Sequence, residues 1–239
     1  AGAIEPGMPV DSSGTSACIA QCLSHEDIRV SAGLHIVPRR KLVILPISFT
    51  GGCLQWYMQT LSPQPLVWDA IPQQLKQSPP GANGLLFLPY LSGARSPLWN
   101  PKAKGAFFGL TAEHSSADML RAVLEGTAMT VRQNVEQMQT WGLTVDEIRA
   151  VGGGANNHSW NQIKADICRV PYGQMANTQG ALVGGIILAA MATGKGTAAE
   201  LAAVYTQIQN VYVPGDYGSL YDKQYERFSK LYSATKELM

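Results

Sequence analysis

From Ser116 to Gln139 the residues Leu120, Val123, Leu124, Thr127, Val131, Val135 and Met138 recur at spacings of three and four, which predicts a long helix with one buried face. Ser115 or Ser116 is its expected N-cap, with Asp118 in the first turn, and Gly142 its expected terminator. Trp160, Ile163 and Ile167 predict a second amphipathic helix. Tyr217, Tyr221, Tyr225 and Phe228 predict a third near the end of the chain. Shorter apolar runs at 41–49, 84–91 and 147–151 predict strands. Pro46 has no amide hydrogen to donate to a ladder, so it moves the end of the first run to a sheet edge or a bulge. Residues 173–193 carry small residues at Gly180, Ala181, Gly184, Gly185, Ala189 and Ala190 and predict one closely packed, buried helix. The run from Ala181 to Ala192 is too short to span a bilayer. Residues 62–84, rich in Pro, Gln and Ser, predict a loop with one short helix.

These elements make an α/β domain, a central mixed sheet flanked by helices. Glycine-rich turns sit at its strand–helix junctions. Gly152-Gly153-Gly154 follows one strand, and Asn156 and Asn157 then open a helix. Without β-carbons such a turn lets a flat ring or a phosphate come close to the backbone, and the helix start adds unpaired N–H groups. The same residues also suit a tight turn that needs glycine only for its geometry. Thr50-Gly51-Gly52 forms a second junction, with Gln55 one turn into the helix. Residues 11–18 place small hydroxylated residues around Gly14. The backbone N–H groups there, with Thr15 and Ser16, can surround a phosphate, or the segment is an ordinary serine-rich turn. No Walker lysine is present. Arg95, in the loop 92–101, serves either a phosphate or substrate hydroxyl or the loop backbone itself.

Composition narrows this. Of the 239 residues 46% are hydrophobic and 15% charged, enough for a sizeable core, and the net charge of +1 comes without a basic block. A nucleic-acid partner therefore has no electrostatic support. The four cysteines, Cys18, Cys22, Cys53 and Cys168, form no short secreted framework and are expected as thiols in a cytoplasmic protein. His25, His35, His114 and His158 are scattered, so no metal site is expected. No secretory signal opens the sequence, and no nucleophile–base pair marks a hydrolase.

The run Gly105-Ala106-Phe107-Phe108-Gly109-Leu110, then seven residues, then Asp118 to Glu125, resembles the C-terminal signature of the FGGY carbohydrate kinases. Residues 88–93 with Arg95, Ser96, Pro97 and Trp99 are similar to its xylulokinase branch. The resemblance runs in order from the first residues past Gly185.

The resemblance implies an actin-like ATPase (ribonuclease H-like) fold. Residues 1–239 would be the C-terminal, ATP-binding domain, with the sugar-binding N-terminal domain absent from this chain as its partner. The reaction implied moves the γ-phosphoryl of ATP, with Mg²⁺, to a sugar hydroxyl. D-xylulose is the expected acceptor. Another sugar or polyol (ribulose, gluconate, glycerol) or a non-catalytic ATP-binding module are the alternatives. Gly14, Thr15 and Ser16 would meet the phosphates, Gly51 and Gln55 would lie beside the nucleotide, and Gly153, Gly154 and Asn157 would flank adenosine. Cys18 and Arg95 are the candidates for the acceptor pocket. Asp11 is expected to face the phosphates or Mg²⁺. The family's catalytic base is an aspartate expected upstream of Ala1, so the chain alone is expected to be inactive. A membrane partner is not expected, and a homodimer is left open.

Overall fold

The computed structural model describes residues 1–3, 5–23, 34–37 and 40–239, the side chains of residues 34–37 and 40 excepted. His25 lies outside them, as does the His35 side chain. In chain order the elements are β1 (Val10–Ser13), β2 (Ala17–Leu23), β3 (Leu34–Val37), β4 (Arg40–Ile47), α1 (Gly51–Thr60), α2 (Ile71–Leu75), β5 (Leu86–Leu88), β6 (Ala106–Phe108) and α3 (Ser116–Thr140). Then come β7 (Ile148–Val151), α4 (His158–Cys168), β8 (Tyr172–Met175), α5 (Gly180–Ala192), α6 (Ala198–Tyr205), β9 (Ile208–Tyr212) and α7 (Gly218–Thr235).

A seven-stranded mixed sheet runs β3-β4-β2-β1-β7-β8-β9, and β5 and β6 form a separate two-stranded sheet. β1, β7 and β8 are mutually parallel, whereas β2, β4 and β9 pair antiparallel to their neighbours. Residues 11–18, expected as one turn, are instead the arms of a hairpin that turns only at 14–16. β4 pairs with β3 only through Arg40–Val43, so Pro46 lies beyond that ladder and its missing donor costs nothing there.

α3 carries two cores. Its first half, from Leu120 to Met129, packs with Leu54, Tyr57, Phe87, Trp160 and Phe228. Its second half, Val131, Val135 and Met138, covers one face of the large sheet against Ile19, Val43 and Leu45. All seven positions of the predicted stripe are buried. The N-cap is Ser115. Its hydroxyl accepts from the Asp118 N–H, and the Asp118 carboxylate accepts from the Ser115 N–H in return. Gly142, at φ 78°, ends the helix in the left-handed region. The predicted helix over 160–167 is α4, capped by the Asn157 side chain. The aromatic one at the end is α7.

Two expectations are overturned. Residues 173–193 are not one helix. Tyr172–Met175 is the buried strand β8, and α5 begins only at Gly180. Nor is α5 buried, since only Val183 is covered, while Leu182 and Leu188 are 66% and 67% exposed. The run 84–91 likewise shortens to the three residues of β5.

Glu125, on α3, has a buried carboxylate whose Oε1 accepts from the Gly81 N–H and the Tyr221 hydroxyl, both at 2.9 Å, with Arg121 3.6 Å away. It thus ties α3 to the segment before β5 and to α7. Burial outweighs these partners and raises its pKa from 4.5 to about 7. Between those values the native chain keeps a proton that the unfolded chain has released. Stability from this group is therefore full below pH 4.5 and is lost as the pH rises through about 7. Thermal melts from pH 4.5 to 8 should fall for the wild type relative to Glu125→Gln, by on the order of 3 kcal/mol in all. Parallel profiles would contradict the protonated carboxyl.

Candidate functional site

β1 and β7 run parallel with Ser12 opposite Val151, so the turns that follow them emerge side by side at the carboxyl ends of the strands. Ligands of open α/β sheets gather at such ends. The Gly14–Ser16 turn is bound to the start of α1 by three backbone hydrogen bonds. The Thr50 and Gly52 N–H groups both donate to the Thr15 carbonyl at 3.0 Å, and the Gly51 N–H donates to the Gly14 carbonyl at 3.1 Å. Amides at the helix start that would otherwise lack partners are thereby satisfied. The Thr15 hydroxyl, exposed at the turn, has no hydrogen-bond partner among the described residues.

All three glycine turns meet at one cleft of about 570 Å³, within the roughly 300–1,000 Å³ of small-molecule sites. Gly14, Thr15, Gly51, Gln55, Gly153, Gly154 and Asn157 line it. Ser16 lies outside the lining, exposed at the hairpin tip, where its carbonyl accepts from the Gly14 N–H at 2.7 Å. Cys18 is half-buried on β2 and also outside the cleft. Burial, with Asp11 as a second cause, raises its thiol pKa. The exposed Arg95 borders a separate small cavity with Pro89, Tyr90 and Thr130.

The glycines differ in why they are glycine. A Cβ on Gly51 would lie 2.4 Å from the Gly14 carbonyl oxygen, and one on Gly152 2.4 Å from the Ser13 carbonyl oxygen. A Cβ on Gly154 would lie 2.8 Å from the Ser13 Cβ. These three let the turns touch. Gly153 has neither constraint: its Cβ would meet nothing within 4 Å among the described residues, and its φ is not left-handed. Its bare backbone faces the open cleft. Asn157 divides its work, with Oδ1 capping the Trp160 N–H at 3.0 Å.

Five lining residues were not singled out from the sequence as parts of a site: Trp68, Asp69, Pro72, His158 and Trp160, the last read only as a position of the α4 stripe. The first three belong to the stretch read as a loop, where a tryptophan among Pro, Gln and Ser was the available signal. Trp68 is 48% exposed and stacks on no other ring among the described residues. His158 is held at Nδ1 by the Tyr212 hydroxyl, which donates to Gln174 Oε1 at 3.1 Å.

Asp11 does not face the cleft. It is fully buried, with Oδ2 2.6 Å from the Lys164 ammonium, and so cannot meet a phosphate or a metal as expected. Among the described residues no three His, Cys, Asp or Glu side chains converge on a metal site.

The sheet order and the junction cleft are those of an actin-like ATPase domain. The solved xylulose kinase of Lactobacillus acidophilus shares this architecture, with a TM-score of 0.87 and 27% identity over 98% of this chain and 48% of that one. The gluconate kinase of Lactobacillus acidophilus gives a TM-score of 0.88, also at 27% identity over 98% and 48%. A xylulose kinase of Staphylococcus epidermidis is 30% identical over 244 residues, which take in all of this chain and 49% of the relative. The FGGY family of carbohydrate kinases, C-terminal domain, matches residues 11–193. The chain belongs to that family, and it spans about half the length of the curated relatives it matches.

The contrast among the glycines is measurable in melting curves. Gly153→Val should stay within about 0.5 kcal/mol of the wild type, a shift of roughly 2 °C or less. Gly154→Val, driven into Ser13, should cost on the order of 2 kcal/mol, or about 4–8 °C. Equal losses would mean that Gly153 is as structural as its neighbour.

Proposed function

We propose that this chain is the ATP-binding half of a cytoplasmic carbohydrate kinase that moves the ATP γ-phosphoryl to a sugar hydroxyl, D-xylulose by the names of its relatives. The observation that supports it most is the convergence of three glycine turns on one cleft, with Gly153 left bare towards the open space. Gluconate is the second candidate acceptor, because a gluconate kinase is as similar in structure as a xylulose kinase.

In this reading the phosphates lie at the Gly14–Ser16 turn, whose carbonyls are turned to α1, and the Thr15 hydroxyl donates to them. Adenosine runs along Gly153, Gly154 and Asn157, with Gln55 at its edge. The base lies flat against the indole of Trp68, since an exposed ring in the lining offers the stacking face that a purine needs. Such a site positions and neutralises; phosphoryl transfer asks little covalent chemistry of the protein. Among the described residues no three His, Cys, Asp or Glu side chains converge to hold a metal by themselves, and Mg²⁺ brought by ATP would need few protein ligands because it keeps waters and phosphate oxygens.

The sugar and the catalytic base belong to an N-terminal domain. α5 is where that domain would dock. Its Leu182, Ile186 and Leu188 are exposed, and a Cβ on Gly184 or Gly185 would meet nothing within 4 Å among the described residues. Small residues beside exposed leucines suit a closely approaching helix, and a patch of this kind marks an interface. No helix among the described residues is long and apolar enough to cross a membrane.

Calorimetric titration of the chain with ADP should show saturable binding and a change in tryptophan fluorescence. Trp68→Ala should weaken it by on the order of tenfold, the scale of one base–aromatic stack, and Trp68→Phe should recover part. Absence of any binding would remove the nucleotide reading. In a coupled ADP-release assay with D-xylulose or D-gluconate, the chain alone should be silent and the chain joined to its N-terminal domain active. Turnover by the isolated chain would place the base within it.

A further inference from the structure

We propose that the buried Asp11–Lys164 pair, bridged by Ser13, is a positioning element that keeps the two glycine turns of the cleft in register, an inference that rests on the nucleotide reading of that cleft. The pair joins β1 to α4 across 153 residues of sequence. Both side chains are out of water, Asp11 at 0% and Lys164 at 1% exposure. Lys164 Nζ donates to Asp11 Oδ2 at 2.6 Å and to Ser13 Oγ at 2.9 Å, and Ser13 Oγ donates to Asp11 Oδ1 at 2.6 Å. The three groups close a ring of hydrogen bonds. The Tyr172 hydroxyl stands 3.5 Å from Asp11 Oδ2, and the ammonium lies 4.1 Å from the centroid of the Trp160 ring.

The residue this ring grips is the one that sets the cleft. Ser13 immediately precedes Gly14. Its carbonyl oxygen and Cβ are the atoms against which Gly152 and Gly154 have no room for a side chain. Trp160, under the ammonium, is the other neighbour of Gly154, 2.9 Å from where its Cβ would be, and itself lines the cleft. Lys164 therefore fixes both contacts between the phosphate turn and the adenosine turn without touching the cleft. Stability alone does not explain such a pair, because well-packed apolar side chains in its place serve as well or better. What apolar side chains lack is directionality, and a hydroxyl held from two sides by an anion and a cation cannot rotate or slide.

The test separates geometry from stability. In Asp11→Asn/Lys164→Met the charges leave together at nearly constant volume. The double variant should melt close to the wild type yet bind ADP roughly tenfold more weakly, or worse, because small displacements of positioning groups are costly. Ser13→Ala, which keeps the ion pair, should weaken ADP in the same direction and is read alone if the double variant does not fold. Amide hydrogen exchange at Gly14–Ser16 and Gly152–Ala155 should quicken in both variants without ligand. Unchanged ADP affinity and unchanged exchange in folded variants would overturn the proposal. A wild type that binds no ADP would overturn the nucleotide reading, whereas the exchange result would still decide whether the pair holds the turns.

Discussion

Three pieces of backbone share a space too small for β-carbons: the end of β1 at Ser13–Gly14, the start of α1 at Gly51, and the turn after β7 at Gly152–Gly154. That close approach is the constraint on which the rest of the structure depends. The hairpin turn gives its carbonyls to α1 and so spends two acceptors on holding a helix. The β7 turn presses on Ser13, which can be met closely only because β1 and β7 pair in parallel and end together. Any ligand that enters meets backbone already fixed by hydrogen bonds. Its ordering entropy is spent in folding and not in binding.

The helices behind the sheet carry this arrangement. α3 belongs to both cores, and its capping box and left-handed Gly142 define its two ends. α4 starts at Asn157, on the cleft, and runs back beneath the sheet, where Ala165 and Cys168 join the second core. The site and the packing are therefore one object. Burial that raises the Cys168 thiol to about 12 also shelters the Asp11–Lys164 pair, and the cap that begins α4 also aims Asn157 at the opening.

What could be read from the sequence was what repeats or what must be glycine. The α3 stripe, Trp160 with Ile163 and Ile167, and the three glycine turns all announce themselves by period or by residue type. β1 and β8 do not. Asp11 and Ser13 look like parts of a polar turn because the lysine that makes their burial tolerable lies 153 residues from Asp11, and Gly173-Gln174 is buried by pairing with β9, whose own sequence alternates only weakly. α5 failed for a different reason. A helix apolar on every side announces burial but cannot say against what, and among the described residues Leu182, Ile186 and Leu188 stay exposed. Trp68 was hidden by its context, since loops carry function without periodicity.

The distribution of exposed features has one direction. Gly153, Thr15 and Trp68 open into the cleft, and α5 presents leucines and bare glycines. Several other titratable groups are, by contrast, withdrawn from the cleft. Asp11 is locked to Lys164, Glu125 is sealed between α3 and α7, and the Cys53 thiol is pushed well above its usual range by burial. Fixed backbone and an aromatic face suit a cleft that holds a ligand, and Asp69 and His158 line it beside them. The cleft takes its rigidity from the contact of Ser13 with Gly152 and Gly154, which leaves neither turn room to shift towards the other.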